Sequence, residues 1–215
     1  MNSAFVFHNC LFQSELLGRR ARNLAELRQG IAQVPNASIY HHTHRRLQQH
    51  IRLSPEPPND FAYWTKNSLG ALRTAEALAS IPMASYRSLD EVRAGFLAVL
   101  DSVLAEANGF RPDAPPGMEF HFFSMRLFVL PTPTEARTIG EFRDGLSRVP
   151  IESIQYHVFA SRLGLAPPEH GFTGWLESIG QSALAEVYQR MDPYTLSLES
   201  LRKMLVRKAA AHAEA

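Results

Sequence analysis

The sequence predicts a mainly helical protein of the α+β class with a small sheet, in which one helical unit of roughly 100 residues occurs twice around a pseudo-two-fold axis. Three observations lead to this prediction. The segment that begins at Ala21 matches the segment that begins at Ala136, apolar residues in both follow the period of a helix, and an aromatic-rich stretch precedes each of them.

The repeat extends over most of the chain. ARNLAELRQGIAQVPNASIYHH, from Ala21, aligns without a gap with ARTIGEFRDGLSRVPIESIQYH, from Ala136. Later matches are the tryptophans Trp64 and Trp175 and the serines Ser88 and Ser197. Between the copies lies EANGFRPDAPPGME, whose proline, glycine and charge are typical of a connection. We therefore predict a first copy at residues 1–108, a connection at 109–117 and a second copy at 118–215.

Each copy is predicted to begin with a β-strand. FVFHNCLF, from Phe5, and MEFHFFSMRLFVLP, from Met118, are dense in aromatic and β-branched residues. The two strands are expected to pair with each other, because an isolated strand leaves its backbone groups without partners. A purely helical body is the alternative, since a short apolar run does not distinguish a strand from a buried helix.

An amphipathic helix follows each strand. Apolar residues from Leu24 to Val34 are separated by three, four and three positions, and the second copy repeats this spacing from Ile139 to Val149. Each helix should end before the proline that follows it, because proline disfavours helical geometry in the preceding residue.

Three more helices are predicted in each copy. Ser38 and Ser153 stand where an N-cap would open the second helix. Ser88 with Glu91 forms a capping box that opens the fourth helix of the first copy. The third helices are predicted at residues 72–78 and 184–188.

Composition and charge exclude several classes of protein. Lysine and arginine number 22 against 21 aspartate and glutamate residues, so the chain lacks the cationic field that attracts nucleic acids. No apolar run reaches the roughly 18 residues of a membrane span. The single cysteine, Cys10, and a start without the pattern of a secretory signal indicate a cytoplasmic protein. We expect no nucleic-acid partner, no membrane partner and no cofactor, because the phosphate-binding and dinucleotide-binding motifs are absent.

The repeat separates residues that serve the fold from residues that need another explanation. His42 matches His157, so we interpret both as hydrogen-bonded structural histidines. Polar residues of the first copy that have no polar match indicate a functional site there. These residues are His41, His44, His50, Asn59 and Asp60.

His44 is the most informative of these residues. Its match, Phe159, is large and apolar, which predicts an interior position where an imidazole needs a hydrogen-bond partner. We expect Asn59 or Asp60 to be that partner. A carboxylate partner would raise the basicity of the imidazole, so we predict His44 and Asp60 as the catalytic residues. The predicted ligand contacts are His41, Arg46, His50, Asn59 and Trp64.

No metal site is predicted from this segment. On a helix, His41 and His44 share a face and His42 lies across from His44, so the segment alone forms no three-histidine cage. If the segment were a strand, Tyr40, His42 and His44 would lie together instead. The arginines that follow favour an anion site through charge-assisted hydrogen bonds. They are Arg45, Arg46 and Arg52.

The first copy resembles a family of bacterial and archaeal proteins of unknown function. The resemblance rests on ARNLAEL from Ala21, VPNASIYHHTH from Val34 and SPEPPNDFAYW from Ser54. It implies that the SIYxHTH and PEPPNDFAYW motifs characterise the group, and it implies no established activity. Relatives that occur beside genes for sugar metabolism direct the hypothesis toward a sugar or a sugar phosphate.

The leading hypothesis is a protein that binds a small anionic ligand in a polar pocket of the first copy, with or without catalysis, while the second copy serves as a scaffold. The first alternative is a protein-interaction or regulatory module without enzymatic activity. Such a module should expose an apolar patch around Phe61 and Trp64. The second alternative is a metal-dependent hydrolase.

Overall fold

The protein is mainly helical with a small two-stranded antiparallel sheet, which confirms the predicted fold class. The computed structural model describes residues 4–45, 57–86, 88–106, 112–161, 163–193 and 196–213. The α-helices span Leu24–Gln33, Asn36–Tyr40, Asp60–Asn67, Leu72–Ala79, Leu89–Ala105, Ile139–Arg148, Ile151–Gln155, Phe172–Ser178, Ser182–Arg190 and Leu198–Ala213. Within these described ranges, no helix has the length and apolar character needed to cross a membrane.

The sheet consists of strands β1 (Phe5–Ala21) and β2 (Phe120–Ala136), which are hydrogen-bonded to each other. The pairing confirms the prediction of one strand per copy. Both strands extend beyond the aromatic-rich stretches that predicted them, because their later residues alternate between partly buried and exposed positions, as on a sheet with one covered face.

Each strand contributes residues to both of the compact units into which the chain divides. The first unit comprises residues 13–126, and the second unit comprises residues 1–12 and 127–215. The start of β2 therefore belongs to the first unit, and the start of β1 belongs to the second. The repeat predicted two contiguous copies. Each unit instead combines the start of one strand with the end of the other.

Corresponding elements of the two units follow one another at a constant separation along the chain. The starting residues of the strands, the first two helices and the two π-helical turns form pairs 115 positions apart. These pairs are Phe5 and Phe120, Leu24 and Ile139, Asn36 and Ile151, and His41 and Tyr156. We call residues that are 115 positions apart in these elements matching residues.

Aromatic rings from the start of β2 fill the core of the first unit, and aromatic rings from the start of β1 fill the core of the second unit. Phe122 is fully buried in the first unit and lies so close to Gly30 that a Cβ atom there would overlap the ring. Phe7 lies in the same way against Gly145 in the second unit. The two helix glycines therefore permit the close approach of strand and helix that a side chain would prevent.

The helix starts confirm one predicted cap and correct another. Ser88 Oγ accepts a hydrogen bond from the Glu91 backbone N–H at 3.2 Å, as predicted. Ser38 and Ser153 do not cap the second helices, which begin two residues earlier, immediately after a proline. Both serines are instead fully buried inside these helices. The N-cap residues are instead Pro35 and Pro150, and neither helix start has a side-chain cap hydrogen bond.

Candidate functional site

The predicted site segment of the first unit forms a π-helical turn, His41–Arg45, directly after the short helix that ends at Tyr40. Thr43 is fully buried, and its Oγ1 donates a hydrogen bond to the Ile39 carbonyl oxygen at 2.5 Å. A threonine hydroxyl that takes up a backbone carbonyl in this way competes with regular helical bonding. π-turns occur frequently at functional sites, so the histidines of this turn are candidate functional residues.

His42 is a buried histidine with both ring nitrogens bonded. Its Nε2 accepts a hydrogen bond from the Phe123 backbone N–H at 2.9 Å, and its Nδ1 lies 2.9 Å from Asp60 Oδ2. Because Nε2 must be an acceptor, Nδ1 bears the proton, and this N–H donates a hydrogen bond to the Asp60 carboxylate. Asp60 therefore orients His42, whereas the sequence predicted that it would orient His44.

His157, the matching residue of the second unit, is bonded in a related way. Its Nε2 accepts from the His8 backbone N–H at 2.8 Å, and its Nδ1 donates to the His170 carbonyl oxygen at 2.5 Å. Burial, as the largest cause, lowers the pKa of His157 to about 3, so the ring is neutral at neutral pH. These contacts agree with the interpretation of both matching histidines as structural residues.

His44 lies in the interior, as its match with Phe159 predicted, and no part of its surface is exposed. Its ring lies parallel to the Tyr40 ring, with centroids 5.9 Å apart, and its Nδ1 is 2.9 Å from Thr43 Oγ1. A ligand on the surface would therefore not reach this imidazole without a local rearrangement. The catalytic role of His44 stays a prediction.

Asn59 and Trp64, two of the predicted ligand contacts, are engaged in the fold. Asn59 is fully buried, where its Oδ1 caps a helix by accepting from the Ala62 N–H at 2.8 Å and its Nδ2 donates to the Leu78 carbonyl at 3.0 Å. Trp64 Nε1 donates to the Met118 carbonyl at 2.7 Å. The predicted contacts Arg46 and His50 lie outside the described residues.

The structure brings together a polar cluster that the sequence predicted only in part, consisting of Ser14, His41 and Arg45. Ser14 is exposed on β1, and its Oγ lies 3.3 Å from His41 Nε2. Arg45 donates to the same oxygen through a terminal guanidinium nitrogen, NH1, at 2.5 Å. Because Ser14 Oγ accepts from Arg45, its own hydrogen is free to be donated to His41. We refer to these three residues as the Ser14 cluster.

The imidazole of His41 is neutral at neutral pH. Burial, as the largest cause, and the neighbouring His42 and Arg45 together lower its pKa to about 4, against a smaller opposing effect of Asp60. Nδ1 has no hydrogen-bond partner among the described residues, and in the tautomer with the proton on Nδ1 the ring accepts the Ser14 hydrogen bond at Nε2. In this tautomer His41 presents a proton-accepting nitrogen to an exposed hydroxyl group.

The second unit has an apolar cluster at the matching positions. Val129, Tyr156 and Ala160 match Ser14, His41 and Arg45, and all three belong to one hydrophobic cluster that also contains Cys10. Burial raises the pKa of the Cys10 thiol to about 12, which leaves it protonated and unreactive. The polar surface chemistry of the first unit therefore has no equivalent at these positions.

His41, His42 and Asp60 are close enough to hold a metal ion, since each offers a ligand atom and these atoms lie within 4.8 Å of one another. A metal must bind a nitrogen that has lost its proton. The Nδ1 atom of His42 does not meet this condition, because the Phe123 N–H fixes the acceptor at Nε2 and the proton at Nδ1. The donor set therefore fits a metal poorly, although its distances allow one.

The protein is a mainly helical α+β protein. Its π-helical turn His41–Arg45 is polar, whereas the turn Tyr156–Ala160 of the second unit is mostly apolar. The chain belongs to the Family of unknown function (DUF5752), whose model matches residues 2–210, so the resemblance to such a family is confirmed. It is also similar to a solved structure, OrfY from Thermoproteus tenax, with 31% identity over 99% of this chain and 97% of that chain and a TM-score of 0.80. The search of curated proteins found no match.

Proposed function

We propose that the protein binds a small anionic ligand of the sugar-phosphate class at the Ser14 cluster of its first unit. One observation supports this proposal above all others. Arg45 and His41 converge on the Ser14 hydroxyl, whereas the matching residues of the second unit pack as an apolar cluster. We infer that the two units are diverged copies in which only the first has kept or acquired a binding surface.

The chemistry of the cluster suits a phosphate attached to a hydroxylated molecule. An arginine guanidinium forms charge-assisted, often bidentate hydrogen bonds with phosphate oxygens. The Asp60 carboxylate, which is bonded to His42, is 23% exposed, and a carboxylate is a hydrogen-bond acceptor that a sugar hydroxyl can use. Arg46 and His50 follow Arg45 in the chain, and their role as ligand contacts is part of the proposal. A catalytic role for His44 with Asp60 stays a prediction.

Calorimetric titration of the purified protein with glucose 6-phosphate, inorganic phosphate and glucose tests the proposal. We expect the two phosphates to bind and Arg45→Ala to weaken their binding by about tenfold or more, because one charge-assisted contact is lost. Arg126→Ala is the matched control, since Arg126 is an arginine of the same unit that is paired with Glu15. Equal losses in the two variants, or no binding by the wild type, would refute the proposal.

A second candidate function, a protein-interaction module, is favoured by exposed apolar side chains on the second unit. Leu11 is 59% exposed, Phe128 49% and Leu130 55%, and all three lie on the strands. The patch predicted around Phe61 and Trp64 does not exist, because these side chains are 0% and 6% exposed. They are buried because both pack against Phe120 at the start of β2.

The first unit shows how the second candidate can be tested without disturbing the fold. At the positions that match Leu11 and Leu130 it has Arg126 and Glu15, which form an ion pair at 2.8 Å. The double variant Leu11→Arg with Leu130→Glu should therefore keep the sheet and remove the apolar surface. Sedimentation equilibrium should then show weaker self-association than in the wild type. An unchanged molecular weight distribution would count against an interface at this surface.

The second alternative of the sequence analysis, a metal-dependent hydrolase, is opposed by the proton that His42 must keep on Nδ1. Elemental analysis of the purified protein tests this alternative directly. A stoichiometric transition metal that is lost in Asp60→Asn would establish it.

A further inference from the structure

We propose that Ser14 is a nucleophile that accepts a phosphoryl group from a phosphate monoester, with His41 as its general base. This inference rests on the proposed function, because the monoester must first bind at the Ser14 cluster. The serine lies on β1, and its base lies 27 residues further along the chain on the π-helical turn.

The contact between Ser14 and His41 has the geometry of a nucleophile and its base. The distance of 3.3 Å between Ser14 Oγ and His41 Nε2 is slightly longer than a strong hydrogen bond, as is common when no substrate is present. The serine is exposed, so a phosphate ester can approach its oxygen from solution. Burial keeps the His41 imidazole uncharged over the neutral pH range, and in the tautomer with the proton on Nδ1 its Nε2 faces the serine hydroxyl as an acceptor.

Arg45 supplies the charge that phosphoryl transfer requires. Its guanidinium already contacts Ser14 Oγ at 2.5 Å, so a phosphoryl group that approaches this oxygen also approaches the cation. A positive group at this place stabilises both the developing serine alkoxide and the negative charge on the transferred phosphoryl oxygens. The second unit lacks all three functional groups, because it has valine, tyrosine and alanine at the matching positions.

The proposed step balances without a further reactant. Ser14 Oγ attacks phosphorus, the bond between phosphorus and the ester oxygen breaks, and a phosphoserine forms. The proton of the serine hydroxyl passes to His41 Nε2 and then to solvent, while the leaving oxygen, which lies opposite Ser14 Oγ across phosphorus, takes a proton from water and departs as an alcohol. Water can later hydrolyse the phosphoserine by the same route and return Ser14 to its starting state.

The full-length protein incubated with p-nitrophenyl phosphate tests the inference. We expect release of p-nitrophenol and, after an acid quench, the added mass of one phosphoryl group on the peptide that contains Ser14. Ser14→Ala should abolish both signals. Ser85→Ala is the matched control, because it removes an equally exposed serine hydroxyl of the same unit and should leave both signals at the wild-type level.

A second variant separates the base from the binding contacts. His41→Tyr introduces the residue of the second unit and should slow p-nitrophenol release by about a hundredfold or more, the usual contribution of a general base. Its affinity for inorganic phosphate should fall by a much smaller factor than the rate of p-nitrophenol release, because Arg45, which carries the positive charge of the Ser14 cluster, is unchanged.

The outcomes distinguish this inference from the proposed function. If inorganic phosphate binds but neither signal appears, or if the phosphoryl group is found on another residue, Ser14 is not the nucleophile and the proposed binding function still stands. If neither phosphate binding nor phosphoryl transfer is observed, both proposals fail. Transfer that survives in Ser14→Ala also overturns the inference.

Discussion

The two units share a buried histidine that is bonded in the same way, but they differ in what surrounds it. In each unit a strand N–H is donated to Nε2 of the histidine, which is His42 in one and His157 in the other. Nδ1 then donates to the Asp60 carboxylate in the first unit and to a backbone carbonyl in the second. The shared bond belongs to the fold, and the difference at Nδ1 gives only the first unit a partly exposed acid beside the histidine.

The surfaces of the two units diverge further than their interiors. The Ser14 cluster and the Glu15–Arg126 ion pair of the first unit match apolar residues of the second unit. The second unit therefore exposes Leu11, Phe128 and Leu130 on the strands, where the matching residues of the first unit are Arg126, Gln13 and Glu15. A residue whose match makes the same hydrogen bond therefore serves the fold, whereas a polar residue whose match is apolar is a candidate for function.

The largest effect is expected when the shared histidine is removed. His42→Ala and His157→Ala should each lower the free energy of unfolding by roughly 3 kcal/mol or more, because each leaves a cavity and an unpaired strand N–H. Urea unfolding followed by circular dichroism measures this loss, and His121→Ala, at an exposed position, is the control. A loss below about 0.5 kcal/mol in either variant would break the structural equivalence of the two histidines.

A smaller loss is expected at the helix glycines. Gly30→Ala and Gly145→Ala should each cost roughly 1–3 kcal/mol, because the added methyl group meets the ring of Phe122 or Phe7. Replacing Phe122 by leucine in the Gly30→Ala background should recover part of the loss. Gly140→Ala is the control, since its added Cβ would meet only Thr138 Oγ1 at 3.9 Å, and this variant should be neutral or stabilising. Equal effects at Gly140 and Gly145 would contradict the close contact.

The pH dependence of stability should reveal the buried imidazoles of both units. Burial holds the pKa of His41 at about 4 and that of His157 at about 3, whereas both groups titrate at 6.5 when unperturbed. The unfolded chain therefore binds protons first as pH falls below 6.5, so stability decreases from there down to the folded-state pKa values. His41→Tyr should reduce the slope of the free energy of unfolding against pH between pH 6.5 and about 4, and it should leave that slope unchanged below pH 4. An unaltered curve would show that His41 is solvated.

The smallest effect is expected for the ion pair on the first unit's strands. Glu15→Gln should lower the free energy of unfolding only slightly, because both partners are well exposed and water screens their attraction. The loss should disappear at high salt, which urea unfolding with and without added sodium chloride can measure. A salt-independent loss would mean that Glu15 stabilises the sheet by something other than its charge.

Much of the fold was predictable because its helices and strands follow local patterns. The spacing from Leu24 to Val34 predicted a helix that the structure places at Leu24–Gln33, and the aromatic stretches predicted both strands. The helix Asp60–Asn67 was missed, because DFAYWTKN has no clear apolar period and its main local signal is the Asn59 cap. The π-turn was also missed, since no sequence pattern distinguishes it from an α-helical turn.

The candidate site was less predictable because it depends on contacts between distant segments. The sequence predicted that Asp60 would bond to His44, whereas in the structure it bonds to His42, two residues earlier. Which of the two imidazoles reaches Asp60 depends on the geometry of the π-helical turn. Ser14 was overlooked because it lies in a strand that was compared only by composition. Extending the repeat alignment through the strands would have matched it with Val129 and marked it as a polar residue without a polar match.

The exchange of strand segments has a consequence for how the chain folds as it leaves the ribosome. The helices of the first unit cannot close over their aromatic rings until Phe120 and Phe122 have been synthesised, and the nascent N-terminal segment must wait longer still for Phe142 and Trp175. Until then, Phe5 and Phe7 are apolar side chains without a core to enter. Phe5 and Phe7 are made well before the residues that bury them, so this stretch needs protection from aggregation while the chain is being synthesised.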